Sequence, residues 1–227
     1  MLFIVSTPIG NLDDLTLRAA KTLGSCDILL AEDTRSAQIL LMSLEKNFGI
    51  PRNPQTRIIS YYKEKEFEKL PEVLDFLKSD KNVALISEAG TPLISDPGSL
   101  LIKSIIKENI PFTVIPGPSA VTTALVLSGL PSKEFLFLGF LPKKESDLIK
   151  SIRKMAELKS SQPETSIIFY ESPARIHATL AIINEYFPKS DIAICREMTK
   201  MFEEVVRGKP SELLNREYKG ELTVVLH

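Results

Sequence analysis

Hydrophobic positions along this chain fall into short unbroken runs separated by longer stretches with helical spacing. The runs 2–6, 27–31, 56–61, 82–87 and 112–115 are apolar and rich in β-branched residues, and between them apolar residues recur with helical period over about 13–24, 35–47, 66–79 and 97–109. Continuous apolar strands alternating with helices predict a parallel sheet covered on both faces. Beyond "PGPSA" the pattern predicts a helix over about 119–128, strands over 134–140, 165–170, 191–195, 202–208 and 221–226, and helices over 144–159, 173–186 and 210–217. The gap between Cys195 and Phe202 is too short for a helical crossover, so the strands flanking it are expected to pair antiparallel. The fold class is therefore α/β in two domains, residues 1–115 with a mainly parallel sheet and residues 116–227 with a mixed one.

The polar segments are unequal. Five strand-to-helix junctions, "STPIGNLDD", "AEDTRS", "SEAGTPLISDPG", "PGPSA" and "YESPAR", are rich in Pro, Gly and carboxylates, whereas helix-to-strand returns such as "KSDKN" are short and plain. In a parallel sheet such junctions share the carboxyl edge, where ligands bind in open α/β folds. Helix capping explains part of this chemistry: Asp96 before Pro97, Ser172 before Pro173, Asp33 or Thr34, and Asp13 all read as helix starts. Capping does not explain "EAGTPLIS", whose eight residues exceed the ~2–6 of an ordinary strand–helix turn, and backbone lining a cavity is the expected reason.

Composition narrows the chemistry. No apolar stretch reaches the ~18–20 residues of a membrane span, and "MLFIVSTPIG" lacks the basic start of a signal peptide. Cys26 and Cys195 form no disulfide or zinc framework, which favours a reducing cytoplasm, and two histidines exclude a multi-His metal site. His177 and Cys195 read as structural. Neither the dinucleotide fingerprint nor the P-loop pattern occurs, so an adenosine-type ligand without a phosphate cradle fits the long loop best. A net charge of −1 rules out the whole chain as a nonspecific polyanion binder, leaving local patches. One such patch, Lys143, Lys144, Lys150, Arg153, Lys154 and Lys159, reads first as a solvated helix face and second as a phosphate contact.

In order and spacing, "STPIGNLDDLTLRA", "AEDTR", "SEAGTPLISDPG", "IPGPSA", "FYESPAR", "REMTKMFEEVVRG" and "KGEL" resemble the tetrapyrrole-methylase superfamily, and within it the ribosomal RNA small-subunit methyltransferase I family. The resemblance spans nearly the whole chain. It implies two α/β domains with S-adenosyl-L-methionine in the cleft between them, a homodimer, no metal, and 2′-O-methylation of a cytidine in 16S rRNA of the small ribosomal subunit. It implies cofactor contacts from Pro8, Gly90, Thr91, Ile94, Ser119, Ala120, Tyr170, Gly220 and Glu221. A ribose hydroxyl is a weak nucleophile, so a base or a cation is expected beside it. The candidates in the loops are Glu32, Asp33, Arg35, Glu88, Glu171, Arg196, Lys200 and Glu203. The chain departs from the family pattern at Glu88 (usually Asp), at Ala174 (often His), and in ending at "ELTVVLH", where typical members continue into a helical segment. Two rivals are a precorrin-type small-molecule methylase, against which "PIGN", "EDTR" and "YESP" argue, and a noncatalytic cofactor-binding ribosome-associated module.

Overall fold

Alternation along the strands decides which helices they carry. In the computed structural model, which describes residues 1–227, β1 (Leu2–Val5), β2 (Ile28–Ala31), β3 (Arg57–Ser60), β4 (Val83–Leu85) and β5 (Phe112–Ile115) form a parallel sheet in the order β3-β2-β4-β1-β5. Val5, Leu29, Ala31 and Ala84 face one way and share a core with α1 (Leu17–Ser25) and α2 (Thr34–Phe48). Leu2, Ile4, Leu30 and Leu85 face the other way, against α3 (Glu66–Lys78) and α4 (Ser99–Lys107). The strand order explains this division. The first two crossovers travel one way along the sheet and the next two return, and right-handed crossovers then place their helices on opposite faces. Adjacent strands β1, β4 and β2 therefore send their loops to opposite faces, which opens crevices at the carboxyl edge.

The second sheet has the order β6-β7-β10-β8-β9. Its strands are β6 (Phe135–Phe140), β7 (Ser166–Glu171), β8 (Ile192–Arg196), β9 (Glu204–Gly208) and β10 (Leu222–Leu226). Only β6 and β7 are parallel, and the expected antiparallel pair is β8–β9. One face packs on α6 (Glu145–Ser161), α7 (Ile176–Tyr186) and α8 (Pro210–Leu213) through Ile152, Phe169, Leu180, Ile194 and Val224. On the other face lies α5 (Ala120–Ser128), where buried Cys195 directs Sγ to the Ala124 carbonyl at 3.6 Å. The chain divides into compact units at Ser119/Ala120, where the sequence pattern placed the division at 115/116. No helix is long and apolar enough to cross a membrane.

Helix starts differ from the sequence reading in three of four places. Asp33 does cap α2, accepting from the Arg35 and Ser36 amides. Asp13 instead lies in a short 3₁₀ turn, and Thr16 caps α1 through the Ala19 amide. Ser172 belongs to a turn before α7, its carbonyl accepting from the Arg175 and Ile176 amides. Asp96 caps nothing: α4 begins after Gly98, at φ +119, and its free amides are taken by a distant side chain. Glu66, buried in the first turn of α3, accepts from the amides of Leu100 at 2.7 Å and Leu101 at 3.1 Å. Helix α8 ends at Leu213, short of residue 217, and the buried Tyr218 hydroxyl donates to the Leu213 carbonyl at 2.9 Å.

Candidate active site

The loop that follows β4 is fastened at both ends. At its start Thr7 and Gly90 exchange backbone hydrogen bonds of 2.8 and 3.1 Å, a lone bridge joining the β1 and β4 loops. The Ser6 hydroxyl lies 3.0 Å from Thr91 Oγ1, which donates to the Pro118 carbonyl at 3.2 Å and so ties in the loop after β5. The approach is tight: a Cβ on Gly117 would sit 3.0 Å from Ser6 Cβ, so a larger residue there would have to push Ser6 aside. At the far end Glu66 holds the start of α4. Between these anchors Leu93 and Ser95 take left-handed backbone angles, φ +74 and +73. Non-glycine residues adopt such angles only where the surroundings impose them, most often around functional sites. Pro8, Gly90, Thr91 and Ser119 therefore lie in three loops stitched into one cradle, and Ile94 stands exposed on its outer arm.

Beside the cradle, Glu32, Asp33, Thr34, Arg35, Ser60, Tyr62 and Glu88 line an open cavity of ≈ 480 Å³. Its carboxylates are not equivalent. Burial raises the Glu32 pKa, and the charges of Asp96, Glu88 and Glu64 raise it further against one hydrogen bond from the Glu88 amide. Asp96 is raised by burial and by Glu88, with a hydrogen bond from Ser87 opposing. Asp33 is occupied as a helix cap, while Arg35 is exposed. Asp96 does not line the cavity, but its charge acts on Glu32, and the sequence reading, which took it for a helix cap, missed that role. Its signal was the "DPG" run, since a Pro-Gly pair marks a turn and displaces the helix start past the aspartate.

The remaining candidates lie in the second unit. Arg196, Lys200, Glu203, Gly220 and Glu221 meet at the β8–β9 turn, where Arg196 pairs with Glu204 at 3.1 Å and Lys200 bridges Glu197 at 3.2 Å and Glu221 at 2.8 Å. Burial opposes the Lys200 charge, but Glu221 and Glu197 outweigh it and hold its pKa above the usual lysine value. That is the reverse of a lysine tuned as a base. Glu203 accepts from the Thr199 amide at 2.6 Å. Gly220, at φ +77, leaves room for Glu197, whose Oε1 would lie 2.5 Å from a Cβ there. Glu171 is buried and fully engaged, taking the Ser172 amide and the Thr179 hydroxyl with Arg175 at 3.5 Å. Tyr170 packs with Phe137 and Phe140 at ring-centroid distances of 5.0 and 5.3 Å, and Ala120 opens α5.

Residues 1–214 match the model of the tetrapyrrole (corrin/porphyrin) methylases. The chain belongs to that family. Among similar methylases is a protein named ribosomal RNA small subunit methyltransferase I from Hydrogenobaculum sp. (strain Y04AAS1), 45% identical over 99% of this chain and 94% of its own. Another of the same name, from Thermotoga maritima, is 42% identical over 99% and 97% of the two chains. The chain thus spans nearly the full length of both relatives. Among solved structures, the fold resembles the methyltransferase CobJ with TM-score 0.72 and 16% identity over 99% of this chain and 92% of that one. It also resembles uroporphyrin-III C-methyltransferase from Thermus thermophilus complexed with S-adenosyl homocysteine, at TM-score 0.64 and 16% identity, with coverage of 99% and 96%.

Proposed function

We propose that this methylase transfers a methyl group from S-adenosyl-L-methionine to the 2′-oxygen of a cytidine ribose in 16S rRNA of the small ribosomal subunit, acting as a homodimer in the cytoplasm. The observation that carries the RNA reading is the pair of near-full-length relatives, 45% and 42% identical, that bear the small-subunit rRNA methyltransferase name. The cradle supports the cofactor independently. Its three loops, 6–10, 87–98 and 116–120, contain hydroxyls, small residues and backbone but no Lys or Arg, so a nucleotide phosphate would find no cationic partner. An adenosine with a zwitterionic amino-acid end suits such a donor set, and the neighbouring carboxylates favour a cationic ligand.

The residues that would contact the cofactor are Pro8, Gly90, Thr91, Ile94, Ser119, Ala120, Tyr170, Gly220 and Glu221. When bound, the cofactor supplies an electrophilic methyl on a sulfonium, and the protein's task is to place the hydroxyl in line with it. Glu32 accepts the hydroxyl proton, since a carboxylate with a raised pKa is the better base at neutral pH. Arg35, exposed at the cavity, steadies the nucleotide phosphate.

Incubating tritiated S-adenosylmethionine with 30S subunits from a strain lacking the protein, then mapping the label with nuclease, tests this reading. Label in a single 2′-O-methylcytidine of 16S rRNA is the expected result, and Glu32→Gln should slow transfer by about 10²–10⁴-fold. Cofactor binding with no transfer to subunits would sink the reading.

A further inference from the structure

Strand β6 carries an irregularity that ordinary strand pairing does not need. Phe137 pairs with Ile168 and Phe140 with Tyr170, so three steps on β6 match two on β7, with Gly139 at φ +65 inside the bulge. In an unbroken strand Phe137 and Phe140 would face opposite sides of the sheet. The extra residue brings both rings onto Tyr170, while Leu138 keeps to the core side. Bulges of this kind re-aim side chains near functional sites and are rare in parallel pairs. The re-aimed Phe140 remains 63% exposed.

The residues after it are equally poorly explained by local stability. Lys143 and Lys144 are exposed, form no ion pair, and occupy the start of α6, where Lys144 makes no side-chain cap. A helix start favours Ser, Thr, Asp or Asn and disfavours cations. Two lysines there work against the helix. The segment carrying them is nevertheless held firmly, because Arg175 donates to the Leu141 and Pro142 carbonyls at 3.1 and 2.8 Å. Arg175 belongs to the "YESPAR" junction, which thus supports a presented surface. Phe140 to Lys144 is four residues, at most about 14 Å of extended backbone, so the ring and the ammonium groups can serve one short ligand segment.

We propose that Phe140, Lys143 and Lys144 form the surface that receives an unpaired stretch of the RNA substrate, one base stacking on the ring and its neighbouring phosphates meeting the lysines. This rests on the rRNA reading above and names how the substrate is held. Unpaired bases are recognised by aromatic stacking combined with cationic contact to the backbone, and an exposed aromatic beside unpaired cations is complementary to both.

The test compares wild type, Phe140→Ala, Phe140→Tyr and Lys143→Glu/Lys144→Glu for binding to 30S subunits. Cofactor dissociation constant, melting temperature and sedimentation are measured alongside. Phe140→Ala should weaken subunit binding about tenfold, within the range of one base–aromatic stack, and Phe140→Tyr should restore it. The double lysine variant should weaken binding at least as much, with cofactor affinity unchanged in every variant. Loss of cofactor affinity in Phe140→Ala would overturn the proposal, placing the ring in the cofactor pocket. A changed oligomeric state would overturn it too, making this an interface between copies. Wild-type labelling with unaffected variants overturns the proposal alone, whereas a wild type that neither binds nor labels subunits overturns the rRNA reading and the proposal with it.

Discussion

Glu66 shows how one buried carboxylate can set the position of a functional loop. It is 7% exposed, sits in one helix and satisfies two amides at the start of another, after a loop whose own aspartate points elsewhere. Tyr61 is fully buried beside it, and burial together with the Glu66 charge raises the tyrosine pKa, so the hydroxyl stays protonated there. Removing the carboxylate leaves buried amides unsatisfied, which costs about 1–3 kcal/mol. Glu66→Ala should therefore lower the unfolding free energy by about that amount, while Glu66→Gln, which keeps an acceptor, should recover most of it in urea titrations. Asp96, freed from capping, makes the opposite contribution. Because burial and Glu88 hold its folded pKa above the unfolded value, the native state binds more protons than the open chain between those two values. Stability thus falls as pH rises through that window, and the cost is fully present at neutral pH. Asp96→Asn should melt higher than wild type at pH 7, and the two curves should converge below about pH 4, where both forms are neutral. An Asn variant that melts no higher than wild type at pH 7 would remove the basis for this strained carboxylate group.

At the scale of elements, the strands and helices were legible almost throughout, because apolar runs such as "ILLA" and "SIIFY" bury both faces and leave no competing period. The β8–β9 hairpin followed from loop length alone. What stayed hidden was non-local. No rule of neighbouring residues finds a helix capped from another helix, as α4 is by Glu66, or the Thr7–Gly90 bridge between loops 83 residues apart. The bulge at Gly139 was hidden for a related reason, since "FLFLGF" reads as an unbroken strand until its pairing with β7 is known. Candidate residues divided along the same line. Glu32 and Glu88 were recognisable as loop carboxylates and do line a cavity, but the sequence could not reveal that Glu171 is buried and saturated, or that Lys200 is held by two carboxylates. The hairpin residues are bound into one another: Gly220 yields space to Glu197, and Glu197 accepts from the Glu221 amide at 2.8 Å. At the end of this turn, with left-handed Glu197 and Thr199, Met201 and Phe202 are exposed to solvent.

For the whole molecule, charge sets the kind of RNA binding to expect. A net charge of −1 supplies no long-range attraction to a polyanion, so affinity must come from a few local contacts and from the shape of the assembled target. Some cations of the second unit are already committed: Lys150 to Asp147, Arg196 to Glu204, Lys200 to Glu197 and Glu221, and Lys209 to Asp191. Among the exposed cations of the second unit that form no ion pair, which also include Lys133, Lys189 and Lys219, Lys143, Lys144 and Lys154 lie together at the start of α6 and along it. Each phosphate neutralised on a single strand contributes about −0.7 to the slope of log affinity against log salt, so three contacts give a slope near −2. Titrating subunit binding between low and physiological salt should return that shallow slope, and Lys143→Glu/Lys144→Glu should flatten it, while Phe140→Ala should weaken binding at every salt concentration without altering it. A much steeper wild-type slope, on the order of −5, would mean that many more cations engage the RNA. Such a result would require ion pairs now closed on the protein surface to open on binding, and the recognition surface would then be assembled by the ribosomal subunit rather than presented to it.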